Sequence, residues 1–382
     1  MKATLEFSAP TRVHFGCGAR SRLAVVLESG PWGFVGSPAA LSRSLVSEVL
    51  AACRARGVRI IQLGGVSPNP RIGEVEAALE RAEQQELRGI VAVGGGSALD
   101  AAKLLAVAYR HGSTAVGALR DLGATVHLPR RRTARLVVVP TTAGTGAEVS
   151  QGAIITDDKS GKKLAARGAA LVPDEAVIDP ELAVTLPRRQ TAEIGFDIIA
   201  HATETYLSLV ATPFTDALAL AALRTAPEAL VRAVTNGQDI EARTELALYS
   251  WLMGYNLVYS SNCLPHRMQY PVGSLTDTSH QIGLAALYPA WISTVAVAAP
   301  DRMQRLAEAI TSSLRVADSP SPTALFSTLL DRLGLRVTLR DLGVKDTDIP
   351  ALAAAVEGRI DLDPIQPSRK DIVDLYMQSL GN

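Results

Sequence analysis

The stretch RGIVAVGGGSALDAAK, residues 88–103, decides the fold of the N-terminal half of the chain. It begins with an apolar run typical of a buried strand, continues through three glycines and a serine, and ends in an alanine-rich helical pattern. Glycines at such a turn let a ligand approach the backbone, and the N–H groups at the start of the helix favour an anion such as a pyrophosphate. Because the motif is not G-x-G-x-x-G, a tight strand-to-helix turn without a ligand remains an alternative.

The same alternation of strand and helix continues on both sides of this stretch. GFVGS (33–37) and VRIIQLG (58–64) each precede a helical pattern, and ARLVVVPTTAGTG (134–146) is a further apolar strand that ends in a Thr/Gly-rich loop. Such units predict a parallel sheet covered by helices, so residues 1–186 are expected to form a Rossmann-like α/β dinucleotide-binding domain. From Arg188 onward apolar residues recur at three- and four-residue spacings, which predicts an all-α domain over residues 187–382.

Composition limits the classes of partner and compartment. The 382 residues contain 38 Lys+Arg and 38 Asp+Glu, so the formal charge of zero gives no reason to expect nucleic acid or an anionic membrane as partner. The three cysteines are widely spaced, which argues against a disulfide framework and for a reducing compartment. Neither a signal-peptide pattern nor eighteen uninterrupted apolar residues occur, so we expect a cytoplasmic protein.

A second loop strengthens the prediction of a dinucleotide site. PTTAGTGAE (140–148) supplies threonines and glycines at another strand end, where open α/β sheets bind their ligands. The strand at 33–37 ends in Gly36 and Ser37 instead of the acid that commonly binds the adenosine ribose, and Arg43 lies a little further on. This favours NADPH, although a serine tolerates either ribose and NADH stays an alternative.

A metal site is the second hypothesis, and it lies in the helical half. EIGFDIIAHATETY (193–206) places Asp197 and His201 four positions apart, on one face of a helix. LPHRMQYPVGSLTDTSH (264–280) contributes His266 and His280. Each pair alone also fits ordinary surface or core residues. Together they form a His₃Asp set that suits Fe²⁺ or Zn²⁺ with an open position, where a metal can polarise a carbonyl beside a nicotinamide.

Five ordered motifs resemble those of the iron-containing, group III, alcohol dehydrogenases: GGGSALDAAK, PTTAGTGAEVS, the stretch from Lys163 to Pro173, FDIIAHATETY and PHRMQYPVGSLTDTSH. The resemblance extends over nearly the whole chain, including the C-terminal helical tail. It implies a dehydroquinate synthase-like architecture, in which a cleft between the two domains holds cofactor and metal.

The resemblance also implies roles for individual residues. The family's four metal ligands match Asp197, His201, His266 and His280. Its pyrophosphate loop matches Gly94, Gly95, Gly96 and Ser97, with Asp100 near the nicotinamide side, and its cofactor-binding threonine pair and lysine match Thr141, Thr142 and Lys163.

The chain departs from the family pattern around the third and fourth ligands. Many members read H-G-M-A-H-x-L-G and use the second histidine for proton relay or substrate contact, whereas Tyr270 stands there in this chain. A phenol donates a hydrogen bond to a developing alkoxide but is a poorer base at neutral pH, so the proton could travel through metal-bound water or the cofactor ribose. We predict Tyr270, His266 and Asp100 as catalytic residues.

Three polar residues are candidate substrate contacts. Gln281 replaces the usual glycine after the fourth ligand, and Arg267 and Gln269 could meet a carboxylate or phosphonate tail. Arg267 and Gln269 equally fit surface or interdomain polar groups, because residues one and three positions after His266 point partly away from its face of the helix.

The main hypothesis is an NAD(P)H-dependent reductase of a small aldehyde, or dehydrogenase of a primary alcohol. Dehydroquinate synthases and glycerol-1-phosphate dehydrogenases share the architecture and form an alternative, although the basic cluster that a phosphorylated substrate needs is not visible. A catalytically silent, cofactor-binding homologue is the third hypothesis. A homodimer is the default expectation for an enzyme of this size.

Overall fold

The computed structural model describes residues 6–36, 44–110, 116–117, 126–127, 132, 134–316 and 321–381. The chain divides into two compact units. One unit is Ser8–Thr185, and the other is Leu186–Asn382 together with the N-terminal residues up to Phe7. The boundary at residues 185 and 186 lies where the helical pattern of the sequence begins.

The first unit is built on a parallel sheet with strand order β1-β9-β6-β4-β2-β3, and a smaller sheet has the order β5-β8-β7. β4 and β6 run side by side from Gly89 paired with Arg135 to Gly94 paired with Pro140. Every residue of β4 is buried, as expected for a strand covered on both faces. The strands are β1 (Arg12–Phe15), β2 (Gly30–Gly36), β3 (Val58–Gly65), β4 (Gly89–Gly94), β5 (Val126–His127), β6 (Arg135–Pro140), β7 (Gly152–Thr156), β8 (Lys163–Arg167) and β9 (Glu175–Ile178).

Helices cover this sheet and confirm the predicted α/β fold class. β2, β4 and β6 together with the helices Leu23–Val26 and Ser44–Ala55 enclose a core that includes Trp32, Phe34 and Val91. The apolar side of each amphipathic helix is buried on the sheet, which is the main source of helical stability in such layers. The helices of this unit are α1 (Leu23–Val26), α2 (Ser44–Ala55), α3 (Ile72–Glu83) and α4 (Gly96–Ala108).

Helices are the regular secondary structure of the second unit in the residues that the structure describes. Its long helices are α5 (Arg188–Leu207), α6 (Pro213–Thr235), α7 (Ile240–Tyr259), α8 (Leu264–Thr276), α9 (His280–Ala298), α10 (Pro300–Leu314), α11 (Pro322–Leu333) and α13 (Arg369–Leu380), and α12 (Ile349–Ala354) is short. α5 is buried from Thr191 to Leu207 with the single exception of Ile194. A helix so enclosed can hold polar side chains only where they find partners.

One helix, α9, is long and apolar enough in composition to cross a membrane, with a mean hydropathy of 1.4 in its most apolar window. Within the protein, however, 61% of that window is buried, as in the core helix of a globular domain. No other helix of the described residues meets the same criterion.

Candidate functional site

Helix α5 supplies three polar side chains to one buried face. Asp197, His201 and Glu204 follow one another at spacings of four and three residues, which places them on the same side of a helix. All three are at most 4% exposed. A buried helix face with this much polarity requires compensation by an ion or by charged partners.

A short connection joins the two helices that carry His266 and His280. α8 ends at Thr276, Asp277 adopts the left-handed conformation with φ 51°, and α9 begins at His280. Ser279 caps α9, because its Oγ accepts the Ile282 N–H at 3.3 Å, and the same hydroxyl donates to Glu193 of α5 at 2.8 Å. The first residue of α9 is thereby tied to the helix that carries Asp197.

Three of the four predicted metal ligands form a compact buried cluster. One ligand atom from each of Asp197, His201 and His266 lies within 4.8 Å of the others. Asp197 Oδ1 is 3.4 Å from His201 Nε2 and 3.5 Å from His266 Nε2, and the two imidazole rings stack with centroids 4.9 Å apart. Asp197 Oδ1 and His266 Nε2 are buried and have no hydrogen-bond partner among the described residues. Two orphaned ligand atoms that face each other fit a divalent ion, which would satisfy both.

His280 lies beside this cluster, with its ring centroid 5.1 Å from that of His266. Its Nδ1 is in hydrogen-bond contact with Gln269 Oε1, so Nε2 is the ring nitrogen that a bound ion would use. The Tyr270 ring stacks on His280 with centroids 5.9 Å apart.

The charges around the cluster perturb one another strongly. Burial alone raises the pKa of Asp197, but the nearby histidines, His201 first, outweigh it and hold the pKa below its usual range. Burial likewise lowers the pKa of His266, whereas Glu204 and Asp197 raise it to about 10. A site that favours a carboxylate next to cationic imidazoles also favours a metal cation in place of the protons.

Glu204 is a functional residue that the sequence argument missed. Its Oε1 accepts from His266 Nδ1 at 2.7 Å and from the Tyr288 hydroxyl at 3.0 Å, and its Oε2 accepts from the Cys263 N–H at 2.8 Å. A carboxylate on the far nitrogen of a metal-binding histidine fixes the tautomer and the ring orientation. The spacing from Asp197 and His201 was the available signal, because it places Glu204 one turn further along the same face.

Two of the predicted substrate contacts, Gln281 and Gln269, touch predicted metal ligands, whereas the third, Arg267, has other neighbours. Gln281 Nε2 donates to Asp197 Oδ2 at 3.4 Å, and Gln269, which is fully buried, uses its Oε1 on His280. Arg267 is 7% exposed, its Nε has no hydrogen-bond partner among the described residues, and its side chain passes the backbone of Gly358. Among the described residues, no carboxylate forms an ion pair with the Arg267 guanidinium.

The glycine-rich loop is shaped by its threonine-rich neighbour. α4 begins at Gly96, immediately after β4, and the Thr141 N–H donates to the Gly94 carbonyl at 2.9 Å. A Cβ on Gly95 would lie 3.2 Å from Thr142 Oγ1, and one on Gly96 would lie 2.9 Å from Thr145 Oγ1. A side chain at Gly96 would therefore crowd Thr145, and glycine there suits the approach of an anion to the N–H groups at the start of α4.

The other predicted cofactor residues have defined surroundings. Lys163 Nζ donates to Asn69 Oδ1 at 2.6 Å. Asp100 Oδ2 accepts the Ile154 N–H at 3.0 Å, and Asp100 Oδ1 lies 3.7 Å from the buried Lys103 ammonium, so its catalytic role stays a prediction. Lys103 also donates to Ser150 and to the Gly152 carbonyl, a structural role that the sequence argument missed. Ser37 and Arg43 lie outside the described residues.

Comparison with known proteins decides the family. The model of the family "Iron-containing alcohol dehydrogenase" matches residues 10–180, and that of its C-terminal part, "Fe-containing alcohol dehydrogenase family, C-terminal", matches residues 191–380. The chain belongs to the iron-containing alcohol dehydrogenases. It is therefore an oxidoreductase, and the resemblance seen in the sequence is confirmed.

Relatives in this family carry the names of different substrates. Choline dehydrogenase of Bacillus subtilis is 32% identical over 79% of this chain and 76% of its own length. The 1,3-propanediol dehydrogenase of Citrobacter freundii is 30% identical over 89% of this chain and 88% of its own length. A solved structure of 1,3-propanediol oxidoreductase superimposes with a TM-score of 0.90 at 27% identity, over 98% of this chain and 100% of that one. Overall identity at this level does not fix the substrate.

Proposed function

We propose that this protein is a metal-dependent aldehyde reductase, which moves a hydride between NAD(P)H and a small aldehyde or primary alcohol. The observation that carries the proposal is the buried cluster of Asp197, His201 and His266, with two ligand atoms that lack hydrogen-bond partners among the described residues. His280 Nε2 is the fourth ligand, and Fe²⁺ is the ion that we favour from the family, with Zn²⁺ as the alternative.

When bound, the ion polarises the carbonyl oxygen and the reduced nicotinamide provides the hydride. Glu204 keeps the proton of His266 on Nδ1, so that Nε2 faces the ion. Gln281 holds Asp197 through its second oxygen, which leaves Oδ1 for coordination. The N–H groups at the start of α4 bind the pyrophosphate, with Gly95, Gly96 and Ser97 as the contact residues.

The direct test is a cofactor-oxidation screen of the purified, metal-loaded protein against short aldehydes, with NADH and NADPH in parallel. We expect steady-state consumption of cofactor that a chelator abolishes and added Fe²⁺ or Zn²⁺ restores. Undiminished turnover in the metal-free protein would refute the metal-dependent mechanism. An absence of net cofactor consumption across the panel would instead favour a silent homologue or an internal hydride cycle.

Within this class we propose a substrate with an anionic tail, a carboxylate or a phosphonate. The support is Arg267, which is 7% exposed without an ion-pair partner among the described residues and stands where the family pattern has glycine. A buried guanidinium gains most from a bound anion, because charge-assisted hydrogen bonds contribute about 1.5–3 kcal/mol.

A pair of four-carbon aldehydes, with and without a terminal carboxylate, tests the tail. Arg267→Gln should lower kcat/KM for the carboxylated aldehyde by about 10- to 100-fold and leave the neutral aldehyde unchanged. Arg359→Gln is the matched control, because Arg359 is an exposed arginine paired with Asp361. Equal losses on both aldehydes would show that Arg267 has only a structural role.

Three further properties belong to the same proposal. The lack of an acid at Ser37 favours NADPH, and parallel KM values for the two cofactors test that preference. The cytoplasmic location and the homodimer stay predictions, which cell fractionation and light scattering test.

A further inference from the structure

Gln269 is fully buried and touches the edge of the fourth predicted metal ligand. Its Oε1 is in hydrogen-bond contact with His280 Nδ1. An amide oxygen only accepts, so Nδ1 must carry the proton and the lone pair of the imidazole must lie on Nε2. The contact therefore selects both the tautomer and the rotation of the His280 ring.

Helix α9 leaves room for this amide at one position. A Cβ on Gly283 would lie 2.9 Å from Gln269 Cγ and 3.1 Å from its Nε2, closer than side-chain atoms pack. Gly283 follows His280 by three residues, so both lie on the same face of α9. The family pattern has alanine where this chain has Gln269, and an alanine would reach neither His280 nor the space at Gly283.

Tyr270, the residue after Gln269, also contacts the His280 ring. Tyr270 stacks on His280 with an interplanar angle of 25°. Consecutive residues of α8 thus hold the edge and the face of one imidazole, at the two positions where the chain departs from the pattern A-H of its family. The hydrogen bond to His280 Nδ1 is not available to a chain with alanine at the position of Gln269.

We propose that Gln269 is a positioning residue of the metal site, which fixes His280 as an Nε2 ligand and which Gly283 accommodates. The inference rests on the proposed function, because it requires His280 to be a ligand. Removing an outer partner of a metal-binding histidine commonly costs about 10- to 100-fold in metal affinity, and Gln269 should show a loss of this size.

The test is a double-mutant cycle read by metal affinity, with Zn²⁺ alone as the probe and a chromophoric chelator as competitor. Gln269→Leu keeps the volume but removes the acceptor, and it should weaken Zn²⁺ binding by about 10- to 100-fold. Gln269→Glu restores an acceptor and should bind Zn²⁺ about 10- to 100-fold more tightly than Gln269→Leu. In a His280→Ala background, Gln269→Leu should have no further effect, because the residue that it positions is gone.

A second perturbation reaches the same contact from the other helix. Gly283→Ala keeps every polar group, favours the helix and displaces Gln269, so it should weaken Zn²⁺ binding in the wild type and have no effect in Gln269→Leu. If Gln269→Leu does not fold, Gly283→Ala alone still tests whether displacement of Gln269 weakens Zn²⁺ binding.

The possible failures are distinguishable. Equal losses from Gln269→Leu with and without His280 would overturn the positioning role alone, as would wild-type affinity in both Gln269→Leu and Gly283→Ala. Wild-type affinity in His280→Ala would overturn the ligand set of the proposed function and, with it, this inference.

Discussion

Replacement of Glu204 by glutamine is the perturbation that best probes how the helical unit prepares its metal ligands. The carboxylate accepts three hydrogen bonds, from His266 at 2.7 Å, from Tyr288 at 3.0 Å and from the Cys263 N–H at 2.8 Å. An amide has one acceptor oxygen, so its NH₂ group must face at least one of these donors. A buried donor that loses a charged partner costs about 1.5–3 kcal/mol.

If the amide oxygen stays on the Cys263 N–H, the lost partner is His266, whose proton is then no longer held on Nδ1. We expect Glu204→Gln to weaken Zn²⁺ binding by about 10- to 100-fold, which matches that free energy. Competition with a chromophoric chelator measures the loss. Tyr288→Phe is the control, because it removes one neutral donor and leaves the carboxylate on His266. A Zn²⁺ affinity of Glu204→Gln equal to that of the wild type would show that Glu204 does not prepare His266 for the metal.

The remaining predictions concern the α/β unit and the cysteines. Lys103→Met leaves buried acceptors without their cation, so we expect a loss of about 3 kcal/mol in the free energy of unfolding and a fall of about 6–12 °C in the unfolding temperature. The exposed control Lys370→Met should shift the unfolding temperature by less than about 1 °C. Similar melting curves for the two variants would contradict this prediction. Gly96→Ala places a Cβ 2.9 Å from a threonine side chain and should raise the KM for NAD(P)H by at least about tenfold. In the control Gly152→Ala the nearest atom is 3.9 Å from the new Cβ, so the KM should not change. Equal KM values for the two variants would rule out the predicted pyrophosphate loop. Burial raises the pKa of the thiols of Cys53 and Cys263, whereas Cys17 is exposed. Only Cys17 should therefore react with a thiol reagent at pH 8 in the native protein. Rapid reaction of a second thiol would show that a buried cysteine is accessible to solvent.

The α/β fold class was predictable because it depends on local sequence patterns, namely apolar runs and helical periodicity. Each buried strand is followed by its helix, as β4 is followed by α4, and a short apolar run next to a helical repeat needs no distant information. The strand order was not predictable, since β1 pairs with β9 through residues such as Arg12 and Glu175, far apart in the sequence. Such pairings depend on how helices pack on the sheet, which a single sequence does not display.

The metal site was likewise predictable only in part from the sequence. Spacing within one helix predicted Asp197 and His201 together, and the structure places His266 with them through contacts between α5 and α8. Glu204 escaped notice because a buried glutamate in a helical pattern resembles any surface glutamate until its partners are known. Gln269 was read as a substrate contact, whereas the structure turns its oxygen to His280. Side-chain direction at such positions is set by neighbouring helices and not by local sequence.

X-ray absorption spectroscopy at the metal edge of the loaded protein tests the central claim most directly. We expect a site of one ion per chain, bound by three imidazole nitrogens and one carboxylate oxygen at about 2.0–2.2 Å for zinc. The ligands are His201, His266, His280 and Asp197. Outer-shell scattering from three imidazole rings would agree with it. A spectrum without imidazole scattering, or with sulfur ligands, would contradict it.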